Sequence, residues 1–248
     1  MSPCLEDSMN AELSFDPSIP IAEAETETDD IIYRISHDLR ASVRALQELP
    51  SWISEDLEQA AIAVPAPTGR HLELIGSHAC RLDLMLTGLL EYSRIGRMQP
   101  ITAVTPADVL EDVLDDLGVH DDARVTVKMD RGKIQIGFAD LQRIFSTLIT
   151  NAIRFHPSQS PRISVSGGPV SDKEWRFSVA DDGPGIPEDK RDFVLRPMTK
   201  LVSRDVDPGA GMGLAILRKV AWTYGGKVEI LEPKAGVGTE VQVTMRVN

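Results

Sequence analysis

DDGPGIP, residues 181–187, directly follows the alternating run WRFSVA, and GAGMGLAI, residues 209–216, directly opens a helical pattern. Glycines let backbone amides come close to phosphates, and the amide-rich start of a helix beginning near Gly213 would hold an anion. Either stretch alone is a weak signal, because most glycine-rich turns are ordinary loops. A dinucleotide fingerprint fits poorly: GxGxxG needs a strand immediately upstream and an acidic residue about twenty positions on, and neither accompanies Gly209.

Outward from these stretches the pattern is regular. Thr105 and Pro106 read as the N-cap and first residue of a helix through Leu117. Strands at RVTVKM and KIQIG come next, then a long helix from about Ala139 to Phe155, then the alternating runs RISVSG and WRFSVA. Beyond GAGMGLAI, the helix from Gly213 to Tyr224 is followed by strands at KVEIL and EVQVTMRV. Residues 101–248 are therefore expected to form an α+β domain, an α/β sandwich of helices against one mixed sheet.

The first third of the chain reads differently. From Asp29 to about Ala63 the residues Ile32, Ile35, Leu39, Leu46, Ile53 and Leu57 recur at helical spacing, with Pro50 predicting a kink or a restart at Ser51. VPAPTG breaks the pattern, and a second helix from about Arg70 to Ile95 carries Ile75, Ala79, Leu82, Leu86 and Leu89 in steps of four and three. A hairpin over 29–98 cannot bury both stripes alone; it either pairs with a second copy as a dimeric four-helix bundle or packs on the downstream domain of its own chain. Within it, RISHDLRASVR at 34–44 sets His37 beside Asp38 among aliphatic residues, and at about 100° per residue both cannot belong to a stripe set by Ile31, Ile35, Leu39 and Leu46.

Bulk properties exclude several functions. A formal net charge of -12 argues against a general phosphate-backbone binder, so no nucleic-acid partner is expected. Residues 1–30 hold nine Asp or Glu, no Lys or Arg and three prolines, and 1–28 read as an acidic, disordered tail. The absence of a basic start followed by an apolar run, and of any stretch of eighteen apolar residues, points to a soluble, cytoplasmic protein with no membrane partner. Cys4 and Cys80 lack the spacing of a disulfide framework or zinc site.

The order of parts is more specific than any one of them: TLITNAIRFH closing a helix, a strand, DDGPGI, a variable loop, GAGMGLAI, then GG and GVGTEV. With SHDLR and LLEYSRIGR ahead of them, residues 30–248 resemble a sensor histidine kinase of two-component signalling. That family has a dimerisation and phosphotransfer hairpin followed by a Bergerat-type ATP-binding domain, and the hairpin motifs are closest to phytochrome-like kinases. The resemblance implies an ATP- and Mg²⁺-dependent homodimer that autophosphorylates on His37 and passes the phosphoryl group to the receiver domain of a response regulator.

The resemblance also assigns roles. Asp38 would hydrogen-bond the His37 imidazole and help remove its proton. Asn151 would ligate Mg²⁺ through its amide oxygen, and Arg154 and His156 would face the phosphates as cations. Asp181 would accept a hydrogen bond from the adenine amino group, Gly183 and Gly185 would shape the turn beneath the base, Gly209, Gly211 and Gly213 would line the phosphates, and Thr239 lies in the matching GVGT segment. Arg40 would contact phosphate or the partner's acidic site, unless it is simply a solvated cation.

Several positions depart from the family pattern. Thr147 stands where the first asparagine of the motif is usual, Leu195 and Met198 replace phenylalanines of the lid, and Ser42 replaces a proline. Relatives that also dephosphorylate their regulators commonly carry Thr or Asn four residues after the histidine, where this chain has Ala41. Thr147 and the altered lid keep open the alternative of a phosphotransfer scaffold whose ATP domain has decayed. An ATPase chaperone or mismatch-repair-type machine shares the ATP fold but not a SHDLR hairpin. Thirty residues ahead of the hairpin are too few for a sensory domain, so a separate sensor protein is expected, or else the chain is a piece of a longer one.

Overall fold

The computed structural model describes residues 21–96, 99–119, 124–158, 160–202, 209–233 and 236–247. The expected acidic tail lies outside the described residues up to residue 20, but its remainder does not match the expectation: residues 21–28 are helical, because helix α1 spans Ile21–Gln59. Pro50 sits inside α1 without a restart at Ser51. One missing donor costs a helix about 3 kcal/mol, and here the buried Pro50 ring packs where α1 meets its neighbour. Helix α2, Ala66–Arg94, returns antiparallel to α1, with Arg40 Nη2 donating to Thr87 Oγ1 at 3.3 Å and the Arg94 guanidinium 5.3 Å from the Tyr33 ring centre.

The buried face of α1 is Asp29, Ser36, Val43 and Pro50, spaced by seven. These small or polar residues let the helices approach closely. The large apolar residues at Ile31, Ile35, Leu39, Leu46, Leu49 and Ile53 point elsewhere and are exposed in the single chain. The α2 seam splits likewise: Ala79 and Leu86 are buried and Leu89 partly so, while Ile75 and Leu82 are exposed.

Beyond the hairpin come β1 (Ile101–Val104), α3 (Pro106–Asp116), β2 (Val125–Met129), β3 (Ile134–Gly137) and α4 (Phe138–Arg154). Then follow β4 (Ile163–Ser171), β5 (Glu174–Asp181), the short α5 (Arg191–Val194), α6 (Gly213–Thr223), β6 (Lys227–Leu231) and β7 (Glu240–Arg246). The expected single sheet is two: a five-stranded mixed sheet in the order β2-β4-β5-β7-β6, in which only the β2–β4 pair is parallel, and a separate antiparallel pair, β1-β3.

Alternation along β5 and β7 sends Trp175, Phe177 and Val179, with Val241, Val243 and Met245, into one layer. Leu141, Ile144, Phe145, Leu148 and Ile149 form the apolar stripe of α4 that covers them, with Phe145 edge-on to Phe177 at 5.2 Å. The opposite sheet face is polar, with Arg176 donating to Thr244 and Ser178 to Glu240. The result is a two-layer α/β sandwich whose helical layer also carries the hairpin.

Candidate functional site

Between α4, the ends of β5 and β7, and the start of α6 lies a cleft of about 570 Å³. Asn151, Arg154, Asp181, Gly185, Gly209, Gly211, Gly213 and Thr239 all line it. On α4, Thr147, Asn151 and Arg154 follow helical spacing on the face opposite the buried Phe145 and Ile149, so core packing aims them into the cleft.

Asp181 ends β5. Its Oδ1 accepts the backbone N–H of Gly183 at 2.8 Å and of Thr239 at 3.3 Å, and its own N–H donates to Thr239 O. Burial pushes the carboxyl above its ordinary value of 3.8, against the pull of the two amides. Gly183 does not line the cleft itself; it is buried behind Asp181. Gly238 closes the other side of the turn with φ of 102°, and a Cβ there would lie on the Asp181 carbonyl oxygen, so no other residue fits.

At the opposite end the N-terminus of α6 opens into the cleft at Gly213, with no acidic residue in its first turn. A Cβ on Gly213 would sit 3.0 Å from Thr147 Cγ2, and one on Gly209 would sit 2.8 Å from Arg154 Nη2. The glycines therefore let backbone reach the α4 side chains. Lys200, which the sequence reading passed over, also lines the cleft and donates to Gly209 O at 2.7 Å. His156 is not with these cations as expected. Its Nε2 lies 3.4 Å from Asp182 Oδ1, at the Asp181 end.

Among the lid substitutions, Leu195 is buried in the core, whereas Met198 is exposed and has φ of 61°, a conformation unusual for a side-chain-bearing residue. One wall of the cleft was not legible at all: Leu84, Thr87, Gly88 and Glu91 of α2 line it. The hairpin is seated there because Gly88 has no Cβ to strike Met212, and because Glu91 accepts from Arg143 Nε at 2.9 Å.

His37 and Asp38 stand apart, on the exposed side of α1 and outside the cleft lining. Both face water: their side chains are 68% and 81% exposed, with His37 Nδ1 3.2 Å from Asp38 Oδ1. Tyr33, one turn earlier, stacks on the imidazole with ring centres 6.2 Å apart.

A nucleotide-sized cleft between a half-buried carboxylate and a helix N-terminus, beside a helical hairpin with an exposed histidine, is the arrangement of an ATP-binding domain joined to a helical hairpin. Comparison with known proteins agrees. Residues 138–248 match the family described as histidine kinase-, DNA gyrase B- and HSP90-like ATPases. The sensor protein KdpD of Rathayibacter rathayi is 30% identical over 234 residues, covering 92% of this chain and 26% of that protein. Cyanobacterial phytochrome A of Nostoc sp. PCC 7120 is 34% identical over 114 residues, 46% of this chain and 15% of its own. In fold, the crystal structure of full-length ShkA in complex with AMPPNP superposes with a TM-score of 0.61 at 19% identity, over 88% of this chain and 46% of that one. The chain is thus similar, over hairpin and ATPase domain alike, to sensor histidine kinases. It spans about a quarter or less of the length of the KdpD and phytochrome A relatives.

Proposed function

We propose that this chain is an ATP-dependent protein histidine kinase that autophosphorylates on His37 and hands the phosphoryl group to an aspartate of a response-regulator receiver domain. The observation that carries this reading is the cleft: adenine-sized space against Asp181, a glycine cradle at the α6 N-terminus, and cations at Arg154 and Lys200. Nothing in it favours the decayed-scaffold alternative.

Asp181 accepts the exocyclic amine of adenine, and the triphosphate runs toward Gly209, Gly211 and Gly213. Among the described residues no group of three or more His, Cys, Asp or Glu converges on a metal site. A Mg²⁺ ion in the cleft would accordingly take its ligands from phosphates, water and the Asn151 amide oxygen, and would neutralise phosphate charge.

The His37–Asp38 contact prepares the nucleophile. With the Nδ1 proton donated to the Asp38 carboxylate, Nε2 keeps its lone pair. Nε2 forms the N–P bond as the bond from the γ-phosphorus to the bridging oxygen breaks and ADP leaves. The ring becomes cationic, and Asp38 takes up its Nδ1 proton. Because α2 rather than His37 faces the cleft in this arrangement, transfer requires the ATP domain to move along the hairpin or to reach His37 of a second copy.

That second copy covers the exposed stripe of Ile31, Ile35, Leu39, Leu46, Leu49 and Ile53, together with Ile75 and Leu82, in a homodimeric four-helix bundle. Input reaches the hairpin from a sensor, on this or a separate chain. No described helix is long and apolar enough to cross a membrane, which accords with a cytoplasmic site of action.

Incubation with γ-labelled ATP tests the assignment. Wild type acquires acid-labile, base-stable phosphate, and His37→Gln acquires none while binding ATP as before, because His37 lies outside the cleft lining. Label persisting on the variant overturns it.

A further inference from the structure

His156 lies just past the C-terminal end of α4, and its side chain is only 15% exposed. The backbone N–H of Ser158 donates to its Nδ1 at 3.3 Å, with the Ser158 hydroxyl oxygen 3.0 Å from the same nitrogen. An amide can only donate, so in the neutral ring Nδ1 carries the lone pair and Nε2 the proton. His156 Nε2 lies 3.4 Å from Asp182 Oδ1, which accepts the backbone N–H of Arg162 at 2.8 Å. A polar strut thus runs from the end of α4 to the residue beside Asp181.

The strut bears on the base pocket. Asp182 leads into Gly183, whose N–H fixes Asp181 Oδ1. The imidazole closes on this turn: a Cβ at Gly183 would be 2.8 Å from Asp181 Oδ1 and 3.8 Å from His156 Cδ2. The ring also lines the cleft, and so borders the place where a base would lie.

We propose that His156 is a positioning residue for base selection: through Asp182 it holds the Asp181–Gly183 turn, and thereby the angle at which the Asp181 carboxylate meets the base. This rests on the adenine role of Asp181 given above. A carboxylate only accepts hydrogen bonds, so a rigid one at this point welcomes the exocyclic amine of adenine and repels the carbonyl oxygen of guanine. Once the turn is loose, the carboxylate swings away from either base and the distinction fades.

The test is calorimetric titration of the full chain with ATP, GTP and inorganic tripolyphosphate. His156→Leu is expected to weaken ATP about tenfold, the scale of losing one hydrogen bond to a charged group, while tripolyphosphate and GTP change less than about twofold. The ATP-to-GTP preference then falls about tenfold, and His156→Gln, whose amide N–H can reach Asp182, restores most of it. An unchanged preference, or an equal loss for tripolyphosphate, overturns the inference. If His156→Leu melts early, Asp182→Ala, which removes the acceptor, decides instead on the same ratio: a fall supports the strut and no change refutes it. Asp181→Asn is the control. If it loses ATP while His156→Leu does not, only this inference fails; if it binds ATP as wild type does, the adenine pocket itself is misplaced and both fail.

Discussion

Asp29 on α1 and Lys219 on α6, 190 residues apart, meet with both carboxylate oxygens 2.6 Å from the ammonium nitrogen, which also lies 4.2 Å from the Tyr92 ring centre. The pair is largely buried, with side-chain exposures of 11% and 15%, and it ties the N-terminal part of the hairpin to the ATP domain. Lys219→Met leaves Asp29 without this cation and should loosen the docking by roughly 2–5 kcal/mol. Asp29→Leu combined with Lys219→Met should recover much of that, because an apolar pair can replace a buried ionic one. Thermal melting of the single and double variants reads the coupling; additive effects would show that the two side chains act independently.

Asp181→Asn should separate binding from stability. Burial raises its carboxyl above 3.8, so the group favours the fold below that pH and withdraws this stability as pH rises through its folded value. At neutral pH the ionised carboxylate therefore costs stability. Asparagine removes that cost while its carbonyl still accepts from Gly183 and Thr239, so the nucleotide-free variant should melt no lower than wild type. ATP affinity should fall by roughly ten- to a hundredfold. Titration beside a melting curve checks both halves.

Tyr224 should set an alkaline limit. Its hydroxyl donates to the fully buried Asp140 at 2.9 Å and accepts the Gly137 N–H at 3.0 Å, and burial pushes its pKa from 10.0 up to about 12. The neutral phenol's contribution is complete below pH 10 and is lost as pH rises toward about 12. Tyr224→Phe should cost about 1–3 kcal/mol at neutral pH, through the unpaired Gly137 amide and Asp140 oxygen, and should flatten the stability profile across that alkaline window. Denaturant titrations at several pH values measure it.

Ala41 lies one helical turn beyond His37 on the same exposed face, and its methyl can neither donate nor accept a hydrogen bond. The chain should release phosphate from a phosphorylated receiver domain little faster than spontaneous decay. Ala41→Thr supplies a hydroxyl for an attacking water and should accelerate release several-fold or more. Phosphate release with ADP present and ATP absent is the assay, and fast release by the unmodified chain would contradict the expectation.

The sandwich was legible because its strands alternate and its long helix carries an apolar stripe: Trp175, Phe177 and Val179 point inward as the pattern of WRFSVA requires. β1 was not legible, since all but the last residue of ITAV is exposed and the strand exists only through pairing with β3. The buried face of α1 was not legible for a physical reason. A hydrophobic reading selects Ile31, Ile35 and Leu39, which are exposed in the single chain, whereas the buried positions are Asp29, Ser36, Val43 and Pro50, largely small or polar. In the cleft, motif order located the glycines, Asn151 and Asp181. Lys200 and Asp182 carry no sequence signal, because only tertiary contacts with Gly209 O and His156 give them a place.

Because Leu84, Thr87, Gly88 and Glu91 form a wall of a cleft whose floor belongs to α4 and β5, a small molecule filling its whole length would touch hairpin and ATP domain together. Such a compound would act twice from one seat. On the proposed function it would compete with nucleotide at Asp181, and it would staple α2 to α6 with His37 outside the cleft lining. Its selectivity over ATPases of the same fold would come from the Thr87 end, where an isolated ATP domain offers only solvent.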